Sequence, residues 1–253
     1  MSDKGASRTV TGRALAVLDT FDAAHRRQSL AAIARRAGLP LTTAHRLVHE
    51  LETQDALVRG SDGDYEIGSK IWRLGILASV HADLREVALP YMEDVYQLAN
   101  DAVQIAVLDG MRALIVERIA GSRTLEVLSK PGSRLPLHAT GVGKVLLAFG
   151  DDELKTAALA GLERFTDQTI TDATVLRAQL SEIARHGIAQ TREELVEGAV
   201  SIAVPLRGKG GRVIAALGVV APSDHRDLAK LVPVMQVTGA ALSRVLARIT
   251  PSE

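Results

Sequence analysis

The stretch Ser29-Leu30-Ala31-Ala32-Ile33-Ala34-Arg35-Arg36-Ala37-Gly38-Leu39-Pro40-Leu41-Thr42-Thr43-Ala44-His45-Arg46-Leu47-Val48-His49-Glu50-Leu51 reads as two short helices and the tight turn between them. Ser29 is a good N-cap, and Leu30, Ile33, Ala34 and Ala37 recur on one face of the helix it opens. Gly38, Leu39 and Pro40 stop that helix, and a second is expected from Leu41 to Thr53 with Ala44, Leu47, Val48 and Leu51 turned inward. Two helices crossing steeply need a small residue where their backbones approach, which Ala34 supplies. The turn needs a residue that tolerates positive φ, and Gly38 stands four places later. The outer face of the second helix carries Thr42, Thr43, His45, Arg46 and His49, all hydrogen-bonding types. Such a face suits the major groove of DNA.

The flanks complete the pattern. A helix beginning near Thr9 with Ala14, Val17, Leu18 and Phe21 on one side is expected before it. After it, Leu57-Val58-Arg59 and Tyr65-Glu66-Ile67 read as strands joined by the turn Ser61-Asp62-Gly63-Asp64. Three helices followed by a hairpin make a winged helix-turn-helix. The expected DNA contacts are Thr42, Thr43, His45, Arg46 and His49 on the helix and Arg59 on the wing, with Arg8 and Arg13 ahead of them.

Composition is compatible with that reading without proving it. At 253 residues the chain suits a small domain plus a larger one, and 47% hydrophobic with 24% charged residues is ordinary for a globular protein. Aromatics are 3%, so the cores must be built from Leu, Val, Ile and Ala. The absence of cysteine excludes disulfides and thiolate metal sites and fits a reducing cytoplasm. Met1 to Arg13 is polar and no apolar run is long enough to span a bilayer, so a cytoplasmic chain without membrane attachment is expected. The net charge is zero. Up to Arg59, however, basic residues outnumber acids modestly, which permits phosphate contact.

Ser69 to about Ala82 reads as a connecting helix whose apolar residues, Trp72 and Leu74 among them, cover more than one stripe. It needs a partner surface, either the chain's own domains or a second copy. Dimerisation is favoured, because a two-fold dimer reads two half-sites. Beyond it an α+β domain is expected, with a mostly antiparallel sheet and helices packed on it. Its helices are Leu84–Ala99, Thr140–Phe149, Asp151–Leu159, Ala173–His186 and Asp224–Ile249. Its strands are Val103–Leu108, Ala113–Ile119, Leu125–Leu128, Val200–Leu206 and Arg212–Val220. The domain limits are then 1–68, 69–83 and 84–253.

Two stretches invite chemistry. Gly143-Lys144 hints at a phosphate loop, but His138 and Val145 stand where that motif needs Gly and Ser or Thr, so it is rejected. The start of this helix is either an ordinary one capped by Thr140 or a carboxylate seat made by the amides of Gly141, Val142 and Gly143. Glu193-Glu194 could be an acid/base pair. Adjacent residues on extended backbone point to opposite sides, so a structural role is expected instead. No nucleophile elbow, metal-ligand pair or other catalytic set is visible, and no cofactor is implied.

From Val10 to Leu246 these residues resemble the isocitrate-lyase regulator (IclR) family of bacterial transcription factors. The resemblance rests on Thr43-Ala44-His45-Arg46-Leu47, on Tyr65-Glu66-Ile67-Gly68, and most specifically on Arg134-Leu135-Pro136-Leu137-His138-Ala139-Thr140-Gly141-Val142-Gly143-Lys144. Glu193-Glu194, Gly198, Ile202-Ala203-Val204-Pro205 and Ala215-Ala216-Leu217 through Pro222 agree with it. The resemblance implies a GAF-like effector domain with a pocket on the concave side of its sheet, and dimers that often pair into tetramers. It implies small organic acids or aromatic catabolites as effectors and operator DNA as the partner, with a catabolic operon as the target of repression or activation. Carried over by position, the pocket would take in Leu135, Thr140, Gly141, Val142, Thr191, Ala199, Ser201, Ala203, Gly218 and Val220. Thr191 stands where an acid is common in relatives, and Gly218 and Val220 where serines often lie, which points to a comparatively apolar pocket and a larger, partly apolar effector. The competing readings are an architectural DNA-binding oligomer without ligand and an enzyme with a DNA-binding appendage.

Overall fold

The computed structural model describes residues 9–22, 25–75, 82–121, 129–224 and 228–249. Its contacts divide the chain into two compact units, residues 1–80 and 81–253. Together they make an α+β protein. The expected strand Leu125–Leu128, residue Arg8 and the last part of the connecting helix fall outside the described residues.

In the first unit Thr9 caps α1 (Val10–Leu18) by accepting from the Gly12 amide, and Ser29 caps α2 (Leu30–Arg36) by accepting from Ala32. Between them lies β1 (Arg27–Gln28). Gly38 turns the chain with φ of 64°, and α3 (Leu41–Thr53) follows. The strands β2 (Leu57–Arg59) and β3 (Tyr65–Ile67) form the hairpin, and β1 adds to β3 to give the order β1-β3-β2. Val17, Ile33, Leu47, Val48, Leu57 and Tyr65 fill the core, with Ala34 and Ala44 buried where α2 and α3 cross. The short helix α4 (Ser69–Gly75) buries none of its side chains, and Trp72 is 66% exposed.

The strand β1 escapes sequence reading because Arg-Gln shows no apolar alternation. Its side chains explain its place. Arg27 pairs with Asp62 and Glu66 at 2.9 and 3.1 Å, and Gln28 Nε2 donates to the Thr20 carbonyl at 2.9 Å.

The second unit comprises α5 (Ala82–Ala99), β4 (Ala102–Asp109), β5 (Arg112–Ile119), β6 (Arg134–Pro136), α6 (Gly141–Ala148), α7 (Asp152–Leu159), α8 (Ala173–His186), β7 (Ala189–Arg192), β8 (Ala199–Arg207), β9 (Val213–Pro222) and α9 (Val232–Ile249). The strands form one antiparallel sheet in the order β6-β5-β4-β9-β8-β7. The edge strands β6 and β7 were not expected, being only three and four residues long. The last helix starts at Val232 rather than Asp224, after a 3-10 turn over Leu228–Leu231. Pro233, which lacks an amide hydrogen, fits only the first turn of a helix and so marks its beginning.

Alternation along the strands sorts the side chains into two cores. Val103, Ile105, Val107, Ile202, Val204, Leu217 and Val219 face Met92 and Val95 of α5 and Met235 and Leu242 of α9. The opposite face carries Ala106, Ala113, Ile115, Ala203 and Ala216 against Val142, Val145 and Leu146 of α6 and Leu176, Leu180 and Ile183 of α8. That face is rich in small residues because α6 lies very close to it. A Cβ on Gly218 would stand 2.7 Å from Val142 Cγ1, and one on Gly141 would stand 2.7 Å from Ser201 Oγ. Since the valine has few rotamers to escape to, Gly218→Ala is expected to destabilise the chain by about 1–3 kcal/mol, seen as a lower urea midpoint with an unchanged slope.

Candidate functional site

On α3 the buried Ala44, Leu47 and Val48 anchor the helix, leaving Thr42, His45, Arg46 and His49 exposed and Thr43 half-buried. Arg46 Nη1 donates to Glu50 Oε1 one turn on, at 2.7 Å. On the hairpin the Arg59 guanidinium lies 5.6 Å from the centre of the Tyr65 ring, and its Nε reaches the Gly63 carbonyl at 3.4 Å. Arg13 is half-buried on α1. The pairing of Arg27 with Asp62 and Glu66 offsets part of the charge of the hairpin's three acids, which would otherwise repel a phosphate backbone.

In the second unit a cavity opens where α6 begins. Of the ten residues expected there, Leu135, Thr140, Gly141, Thr191, Ala199, Ser201 and Val220 line it. Val142, Ala203 and Gly218 do not; they form the tight seat between α6 and the sheet. The lining also takes in Gln104, Ser129, Ala139 and the loop residues Glu194, Leu195 and Val196.

The polar groups of the cavity fall into used and unused sets. Thr140 Oγ1 donates to the Pro136 carbonyl at 2.9 Å and accepts from the Gly143 amide at 3.1 Å, so it acts as a helix cap and takes one of the three amides considered for a carboxylate seat. Thr191 Oγ1 and Ser201 Oγ share a hydrogen bond of 2.6 Å across β7 and β8. Glu194 is held against α6. Lys144 Nζ, wholly buried, donates to both Glu194 carboxylate oxygens at 2.6 and 2.7 Å and to Gln179 Oε1 at 2.8 Å. Burial raises the Glu194 carboxyl and lowers the Lys144 ammonium, and each partner opposes the shift of the other.

The two loop acids therefore part company. Glu193 sits at positive φ with its amide bonded to the Ala199 carbonyl, while Glu194 is locked to lysine. Neither is poised for proton transfer.

A family model of the IclR helix-turn-helix domain matches residues 10–60, and one of the bacterial transcriptional regulator IclR C-terminal domain matches residues 77–244. The chain belongs to the IclR family. Its relatives include the HTH-type transcriptional regulator XynR of Escherichia coli K12, 31% identical over 92% of this chain and 95% of that one. The HTH-type transcriptional repressor AllR of the same organism is 30% identical over 89% of this chain and 83% of the relative. Among solved structures, an IclR homologue from Microbacterium hydrocarbonoxydans complexed with 4-hydroxybenzoate superposes with a TM-score of 0.85 at 34% identity, over 96% of this chain and 100% of that one. These are transcription regulators rather than enzymes. Among the described residues no helix is long and apolar enough to cross a membrane.

Sequence reading of this IclR-family chain missed Lys144 as anything beyond a failed phosphate loop, because its partner lies 50 residues away. It also missed Gln104, although a polar side chain interrupting the apolar run Val103–Leu108 was a usable signal. The ion pair makes a stability prediction. Lys144→Met leaves Glu194 buried and unpaired and is expected to cost about 3–5 kcal/mol, whereas the double change Lys144→Met with Glu194→Leu recovers most of it. Urea unfolding of the three proteins measures the difference.

Proposed function

We propose that this chain is an effector-responsive, sequence-specific regulator in which residues 1–68 read an operator and residues 84–253 bind a small organic or aromatic acid. Residues 69–83 join them and supply the contact through which two copies form a dimer, able to pair further into a tetramer. The observation that carries the ligand half is the open cavity at the start of α6, where seven residues expected from sequence converge. Its mixed lining, with Leu135, Ala199 and Val220 beside Thr191 and Ser201, suits a small, partly apolar molecule. An architectural protein without a ligand has no use for such a space. The homologue bound to 4-hydroxybenzoate supports an aromatic acid as the ligand class. For the dimer, the support is α4, whose Trp72 and Leu74 stand exposed.

In this reading α3 enters the major groove, with Thr42, Thr43, His45, Arg46 and His49 at base edges or phosphates. Arg59, Arg13 and Arg8 add phosphate contacts. Ligand binding shifts DNA affinity by as much as the ligand's affinity differs between the DNA-competent and DNA-incompetent states.

Electrophoretic mobility shifts and footprinting on the DNA flanking the chain's own gene test the DNA half. Arg46→Ala is expected to abolish the defined footprint, and Arg59→Ala to weaken binding to all sequences and reduce the salt slope by about one unit. Retention of the footprint in Arg46→Ala would place recognition on another helix. For the ligand half, an acid that alters the wild-type shift is expected to lose its effect in Ala199→Leu, which fills the cavity. An undiminished response in that variant would move the ligand elsewhere.

A further inference from the structure

The cavity contains polar atoms that nothing satisfies. Gln104 is 3% exposed and its Oε1 has no hydrogen-bond partner; Ser129 is wholly buried and its Oγ has none. Both residues line the cavity. A third group neighbours the lining without belonging to it. Arg118 of β5 pairs directly with Gln104 of β4, and its Nε and Nη2 are buried without a partner.

A bulge puts Arg118 there. From Ala113 and Ile115, which lie on the α6 side of the sheet, strict alternation would send Glu117 to that side and Arg118 to the other. The register slips between Ile105 and Ala106, so that Ala106 faces Ile115 while Ile105 faces Glu117, with Val116 as the extra residue. Glu117 is thereby turned to the α5 side, where Arg85 binds it at 2.7 Å. Arg118 is turned to the cavity side next to Gln104. Cross-strand partners hold their Cβ atoms about 4.5–5.5 Å apart, well within an arginine's reach.

Nε and Nη2 form one edge of the guanidinium, the edge that receives both oxygens of a carboxylate in a bidentate contact. Burial lowers the basicity of Arg118, and among the described residues no carboxylate offsets that. A buried guanidinium edge without an acceptor is costly. We propose that Arg118 is the carboxylate anchor of the cavity, taking the acid group of a small organic acid on its Nε–Nη2 edge. Gln104 and Ser129 then take the neighbouring polar atoms of that ligand. The assignment rests on the reading of this cavity as the effector site.

Calorimetric titration of the full chain with 4-hydroxybenzoate, benzoate and their uncharged amides tests it, alongside thermal unfolding of the ligand-free variants. At least one acid is expected to bind, with its amide about ten- to a hundredfold weaker. Arg118→Met is expected to erase that preference, and Arg118→Lys, which keeps the charge and loses the fork, to reduce it. Without ligand, Arg118→Met is expected to unfold at the wild-type temperature or above, because the uncompensated charge is gone. Equal binding of acid and amide to the wild type, survival of the acid preference in Arg118→Met, or binding of no acid overturns the anchor. So does a lowered unfolding temperature of ligand-free Arg118→Met, which would show the guanidinium to be paired. Acid binding that Ala199→Leu leaves undiminished overturns the cavity reading instead.

Discussion

Helix α6 lies closer to the sheet than any side chain at Gly141 or Gly218 would allow, and the architecture of the effector unit follows from that approach. The α6 side of the sheet carries Ala106, Ala113, Ala203 and Ala216 where larger residues would lift the helix. Held so low, the helix presents its first turn to β8, where Ser201 Oγ would touch a Cβ at Gly141. Much of the cavity wall is then tied to α6. Thr140 and Gly141 belong to its start, Ser201 abuts it, and the loop bearing Glu194, Leu195 and Val196 is strapped to it by Lys144. Thr166 and Thr169 hold the same loop from the far side by donating to the Glu193 and Glu194 carbonyls at 2.6 and 2.7 Å. The cavity is what remains open beyond the end of a tightly seated helix.

The DNA-reading unit depends on local chemistry, which is why its three helices and hairpin were legible from sequence. Caps at Thr9 and Ser29, a positive-φ glycine at 38 and helical spacing of apolar residues are all near-neighbour signals. What was not legible there is the fastening of the hairpin by Arg27, a contact between residues about 35 positions apart. The effector unit shows the same division more sharply. Its longer strands and its helices were readable from periodicity. The edge strands β6 and β7 were too short to show one. The family resemblance brought seven cavity residues together, yet Val142, Ala203 and Gly218 went to the helix seat, since a list of positions carries no information on how closely two elements approach.

Arg118 illustrates a limit of a different kind. A side-chain period of two assigns faces only while the register is unbroken. The bulge opposite Ile105 and Ala106 reverses the assignment for everything after Val116. Read by alternation, Glu117 is the inward residue and Arg118 the solvated one. The structure exchanges them, and the exchange is corroborated independently by the pairing of Glu117 with Arg85 on the α5 side.

The effector unit thus buries one cationic group and half-buries another close to one cavity, and their surroundings differ. Lys144 has three acceptors within 2.8 Å, two of them on a carboxylate, so its desolvation is compensated inside the chain. Its work is to hold a wall. Arg118 has two buried donors with no acceptor, and Gln104 and Ser129 beside the same space are short of partners as well. Native interiors satisfy nearly all their polar groups, so shortfalls at two lining residues and at the strand partner of one of them are not a random scatter. They share a remedy, because a single small acid brings two oxygens for the guanidinium and further polar atoms for the amide and the hydroxyl. A domain that needed only stability would have neutralised Arg118 as it neutralised Lys144. Leaving it unsatisfied places the cost in the ligand-free state, and relief of that cost is free energy available to a ligand for shifting the protein between states.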